Sequence, residues 1–219
     1  MGPDNINNMC LKKGGEPIIE SLKILFNIMI ENGWSPQVWN EEWTVLIHKG
    51  KSRLELDNYR GITVSSCVGK VLTKIMAARL REMAEEQKWL PEARAAFRKG
   101  RCVEDHLFVV RALVDRAKVQ KEHLYGAFLD LRKAYDSVDR ETLWKKLEAI
   151  GPDRQSTDFL RNLYRNNTKR IRVGNEITNT IEVTKGVRQG CPLSSILFAL
   201  FINRVPGKAA ERQVSRAQN

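Results

Sequence analysis

YGAFLDLRKAYDSVD, residues 125–139, is the stretch on which the fold assignment turns. Gly126, Ala127, Phe128 and Leu129 run straight into Asp130, and Asp136 and Asp139 follow. The segment 124–131 is predicted to be a strand, buried on both faces at most positions. An ionised carboxylate ending such a strand is costly unless it is paired or bound to a cation. Two roles fit Asp130. The plainer is a strand-end Asp hydrogen-bonded to a neighbouring loop. The other is a divalent-cation ligand, because Mg²⁺ takes one or two carboxylates and fills its shell with water and phosphate oxygens.

Working outward, the flanks read mostly as helix. Pro17 suits a helix start and Gly33 the position just past its end. Ile18, Leu22, Leu25, Phe26 and Met29 form one apolar face. Ile24, Ile28 and Ile30 widen it, which predicts burial on more than one side. A second helix is predicted over about 66–88, on Val68, Leu72, Ile75, Met76, Leu80 and Met83, with Pro91 beyond its end. A third is expected over about 103–119, on Val103, Leu107, Val110, Val114 and Ala117. Others are expected over about 140–150, closed by Gly151, and over about 155–166.

Extended pieces lie between them. WTVLIHKGK (43–51) reads as a strand entering a basic turn, and LDNYRGITV (56–64) as a loop followed by a short extended run. KRIRV (169–173) and NTIEVT (179–184) suggest a hairpin about Gly174–Asn175. GVRQGCP (186–192) is a loop, after which Pro192 opens a last helix, LSSILFALFIN. The fold class is α+β, with helices dominant.

The 219 residues suit one large domain or two small lobes. A net charge of +11 points to a polyanionic partner, although a Lys-rich soluble surface would give the same sum. Cys10, Cys67, Cys102 and Cys191 are scattered, as are His48, His106 and His123, so a zinc site is not expected. Reduced thiols in an intracellular compartment fit best. The longest apolar run, ILFALFI (196–202), is too short to span a bilayer, and the start MGPDNINN is no signal peptide.

Five segments together resemble the reverse transcriptases of non-LTR (LINE-type) retrotransposons. They are GPDNI with GGEP (2–17), WTVLIHKGK through LDNYRGITVSSCVGKVLTKIM (43–76), FRKGRCVEDHLF (97–108), YGAFLDLRKAYDSVDRETLW (125–144) and GVRQGCPLSSILFALFIN (186–203). They follow one another in order over most of residues 2–203. The resemblance implies the fingers and part of the palm of a right-hand polymerase, with the thumb absent. Residues of about 1–123 would be fingers and pre-palm helices, about 124–203 partial palm, and 204–219 a divergent tail.

The resemblance also assigns roles. Asp130 matches the aspartate that binds both catalytic Mg²⁺ ions, assisted by the Leu131 carbonyl. Tyr135 matches the bulky residue beside the incoming sugar, where it would exclude a 2′-hydroxyl. Gln189 and Gly190 match the segment against the incoming nucleotide and template base. Arg60 and Lys49 match residues that grip the triphosphate. Asp136 is expected to orient local backbone. The implied partners are an RNA template, a DNA primer and dNTPs, with no membrane.

One family feature is missing from these residues. No Tyr/Phe-x-Asp-Asp string follows Gln189, after which the only acid is Glu211. The second metal carboxylate is therefore lacking, and little or no polymerase activity is expected from this chain alone. The unpaired palm edge is expected to promote self-association. A non-catalytic module that binds RNA or an RNA–DNA hybrid, and a functionless remnant of a decayed element, are the alternatives.

Overall fold

The computed structural model describes residues 2–50, 52–174 and 176–203. The 204–219 tail, Glu211 and Asn175 of the expected hairpin turn lie outside them. Helix α1 (Asn8–Lys13) leads into α2 (Gly15–Glu31). Strands β1 (Glu41–His48) and β2 (Tyr59–Val64) precede the long α3 (Cys67–Glu86) and α4 (Val103–Gln120). Then come α5 (Arg140–Ile150), α6 (Arg154–Leu163), β3 (Thr168–Val173), β4 (Glu176–Ile177), β5 (Ile181–Glu182) and α7 (Ser194–Ile202). The chain is mixed helix and sheet, as its sequence pattern implies.

The sheet centres on β1. It pairs antiparallel with β2, Trp43 opposite Val64 and His48 opposite Tyr59. On its other side it pairs parallel with β3, Glu41 opposite Thr168 and Val45 opposite Arg172. Strands β4 and β5 lie in turn along the far edge of β3, so the expected hairpin is present with an interruption in its return strand. Thr178 bridges that interruption, its Oγ1 accepting from the Ile171 amide at 3.0 Å.

The core lies among α2, α3, α5, α6 and α7. Helix α7 is apolar on nearly every side and buries Ile196, Leu197, Phe198, Ala199 and Leu200. Helix α3 contributes Val68, Leu72, Met76, Ala77, Leu80 and Ala84 to the same core at helical spacing. Ser66 caps α3, its hydroxyl accepting from the Gly69 amide at 2.9 Å. Asp139 and Asp153 cap α5 and α6 in the same way, and those hydrogen bonds hold both carboxyls below their ordinary range against a desolvation that acts the other way.

Two expectations fail. Helix α2 buries Phe26 and Met29 but exposes Ile19, Ile24 and Ile28, so it is covered on one side only. Segment 124–131 is not a strand, and Phe128 and Leu129 are 95% and 94% exposed. A strand exists only when a neighbour takes up its amides and carbonyls. None of the described residues does so here. Helix α4 shares this fate: none of its residues is buried, and Val103, Leu107, Phe108, Val110 and Leu113 face solvent. Among the described residues, no helix is long and apolar enough to cross a membrane.

Candidate active site

Two walls face each other across a cleft of about 950 Å³. The first is the β1–β2 hairpin. Its register sets Arg60 opposite Ile47 and puts Lys49 one residue beyond the last pair. The connecting loop is fastened from within. The Lys49 amide donates to Asn58 O at 2.8 Å and its ammonium to Asp57 O at 3.0 Å. The Asn58 side chain donates to Ser52 O and Glu55 Oε2, each at 2.9 Å.

The second wall is built from residues 130–138 and 186–190. The Val187 amide donates to Tyr135 O at 2.9 Å, and the Gly186 amide to Val138 O at 2.8 Å. Gly186 has φ +82°, and a Cβ there would lie 2.9 Å from Tyr135 O, so only glycine allows the two segments to meet. The Tyr135 ring packs on Phe198 of α7, centroids 5.1 Å apart, and burial pushes its hydroxyl pKa up. Gly190, at φ +93°, turns the chain back beside Thr63 of β2.

The cleft is lined by Lys49, Arg60, Asp130, Tyr135, Gln189 and Gly190, all of them singled out in the sequence. Leu131, singled out with them, is not among the lining residues and is more than half exposed. Asp57, Tyr59, Lys133 and Asp136 line the cleft as well. Asp57 lies 3.9 Å from both Arg132 Nη2 and Lys133 Nζ, a loose, solvated cluster. Sequence gave no notice of Asp57 or Lys133, although Tyr59 stands beside Arg60 in NYRG.

Asp130 is exposed and has no hydrogen-bond or ion-pair partner among the described residues. The strand that was to bury this side chain has not formed, so it stands open to solvent. Asp136 does not serve local backbone. Its two carboxylate oxygens accept from Gln189 Nε2 at 3.1 and 3.0 Å, across 53 residues of sequence. Cationic groups, an aromatic wall and an uncommitted carboxylate thus share one opening. Among the described residues, no group of three or more His, Cys, Asp or Glu side chains could hold a metal ion. On their own they do not complete a divalent-cation site.

Behind the second wall lies a buried ionic knot. Arg188 donates to Trp39 O at 3.0 Å, Asn40 Oδ1 at 2.9 Å and Leu163 O at 2.7 Å. Its Nε lies 3.1 Å from Glu42 Oε1, out of line for a hydrogen bond, so that contact is an ion pair. Glu42 is only 4% exposed, and burial raises its pKa against the opposing pull of Arg188. Arg140 donates to Gly186 O, Tyr164 O and Val183 O at 2.8–2.9 Å. The guanidinium carbons of Arg140 and Arg188 lie 5.1 and 5.3 Å from the Tyr164 ring centroid. The knot ties β1, α5 and α6 to the loop that carries Gln189. Nothing in EEWTV marks Glu42 as buried.

A family model described as reverse transcriptase (RNA-dependent DNA polymerase) matches residues 47–216. The chain belongs to the reverse transcriptase family. Its relatives include the RNA-directed DNA polymerase from the mobile element jockey of Drosophila melanogaster, 25% identical over 94% of this chain and 22% of that protein. The Pol polyprotein from the type-1 retrotransposable element R2 of Nasonia vitripennis is 28% identical over 93% of this chain and 19% of that protein. A putative 115 kDa protein in the type-1 retrotransposable element R1DM of Drosophila melanogaster is 32% identical over 89% and 18%. The resemblance of the five motifs to non-LTR reverse transcriptases therefore holds. This reverse transcriptase chain spans about a fifth of the length of the curated relatives it matches.

Proposed function

We propose that this chain forms the fingers and part of the palm of a non-LTR retrotransposon polymerase that copies RNA into DNA by adding dNTPs to a primer 3′-hydroxyl. Residues of about 1–123 act as fingers and pre-palm helices, and about 124–203 as partial palm. One observation carries the reading: six residues from three separate motifs converge on one cleft.

The division of labour follows from their chemistry. Arg60 and Lys49 take the triphosphate, Arg60 through a fork that suits phosphate oxygens. Tyr135 stands beside the incoming sugar, its ring held by Phe198. Gln189 and Gly190 lie against the nucleotide and the template base. Asp130, with the Leu131 carbonyl, contributes to holding a divalent cation, Mg²⁺ in this reading. Such an ion in a polymerase supplies charge neutralisation at the transferring phosphate. One uncommitted carboxylate is half of what two adjacent divalent ions would need. The partners are an RNA template, a DNA primer and dNTPs in an intracellular setting. A second copy of the chain is a further partner, through the uncovered α4 and 124–131 face.

A filter-binding titration of the chain with an RNA–DNA hybrid tests this. Affinity should fall steeply as salt rises, because each neutralised phosphate releases counterions. Absence of binding at low salt would overturn the proposal. A non-catalytic binding module would show the same salt slope without any response to dNTPs.

A further inference from the structure

We propose that Asp136 is a positioning residue that fixes the polarity of the Gln189 amide, making the glutamine in the cleft a hydrogen-bond acceptor. An ionised carboxylate only accepts, so the amide must turn its nitrogen toward Asp136. Nε2 does lie 3.1 and 3.0 Å from the two carboxylate oxygens. Gln189 Oε1 accepts no hydrogen bond among the described residues, and Gln189 lines the cleft. The oxygen is the half that remains to meet a ligand.

The supports on either side keep this orientation from drifting. Gly186 and Val187 are tied to the carbonyls of Val138 and Tyr135, and Arg140 Nε grips Gly186 O at 2.9 Å. Arg188, the residue before Gln189, is buried with three donated bonds. Asp136 and Gln189 therefore sit at the end of a rail whose other rungs are backbone or buried guanidinium.

A fixed acceptor selects a donor. In the minor groove every base pair offers acceptors, and only G·C adds a donor, the guanine amino group. Sugar hydroxyls, the ribose 2′-hydroxyl among them, are donors as well. The ligand group is thus a hydroxyl or exocyclic amino donor. Its identity rests on the function proposed above, whereas the contact does not.

Two measurements separate these layers. In the full 219-residue chain, ¹⁵N-NMR should show the Gln189 side-chain amide displaced from the free-glutamine position. Asp136→Ala should return it there, and Asp136→Asn, which keeps an acceptor, should retain part of the displacement. The Gly186 and Val187 backbone amides should stay unmoved in both. A Gln189 amide at the free position in the wild type, or one indifferent to Asp136→Ala, overturns the inference whether or not nucleic acid binds. In hybrid binding, Asp136→Ala should lose about fivefold, the scale of one ordinary net hydrogen bond from the ligand to the Gln189 amide oxygen. The loss should appear only with an RNA template strand if the donor is a 2′-hydroxyl, and only with guanine rather than inosine if it is the amino group. Equal affinity of Asp136→Ala and wild type for every template overturns the acceptor role.

Discussion

Replacing Arg188 with Ala strands Glu42. The carboxylate is 4% exposed, and Arg188 is the strongest cationic influence upon it. Removing one partner of a buried pair costs about 3–5 kcal/mol, because the remaining charge has neither water nor a counterion. Three donated hydrogen bonds go with it. Against a typical stability of about 5–15 kcal/mol, the variant should be close to unfolding. Urea denaturation is the assay, with Glu42→Gln/Arg188→Met as the control that removes both charges. The double variant should recover at least half of the loss. The pH dependence sharpens the test. The folded pKa of Glu42 is raised, so the folded state holds that proton more tightly than the unfolded one. The contribution is fully present below the ordinary glutamate value and is lost as pH rises through the raised folded one. The Arg188→Ala deficit should therefore shrink as the medium is acidified, and Glu42→Gln should flatten the profile. A single variant that loses less than about 1 kcal/mol, or a double variant that loses as much as the single, would refute the reasoning.

Three further outcomes are expected. The 219-residue chain, given primer–template, Mg²⁺ and dNTPs, should extend no primer above background, and robust extension abolished by Asp130→Ala would contradict this. Size-exclusion chromatography should show self-association, reduced by Phe108→Lys or Leu129→Lys, since these side chains are 75% and 94% exposed; a clean monomer would count against it. Gly186→Ala should destabilise by about 1–3 kcal/mol, because it sets a Cβ against Tyr135 O at positive φ, with thermal melting as the measure.

What the sequence disclosed depended on whether the deciding forces were local. Helix α3 is legible in its apolar spacing and α7 in an unbroken apolar run after Pro192, because in each the pattern is itself the signal that buries it. The same logic misjudged 124–131, and it placed helix α4 correctly without showing that its apolar face is left uncovered among the described residues. Amphipathic pattern specifies a face and says nothing of what lies opposite. Asp130, Tyr135, Gln189 and Gly190 could be named from motifs, yet the joining of their two segments rests on the 135–138 and 186–187 backbone bonds between distant parts of the chain. The Glu42–Arg188 pair was invisible, because it joins residues 146 positions apart with no flanking pattern. The role of Asp136 was misplaced for the same reason: its partner is 53 residues away.

The parallel pairing of β1 with β3 has a consequence in time. Glu41 cannot meet Thr168 until the ribosome has made everything between them. At about 5–20 residues per second, that is a wait of roughly 6–25 s. The nascent hairpin spends it with one row of amides and carbonyls bare, an invitation to adhesive encounters that a chaperone would be placed to forestall.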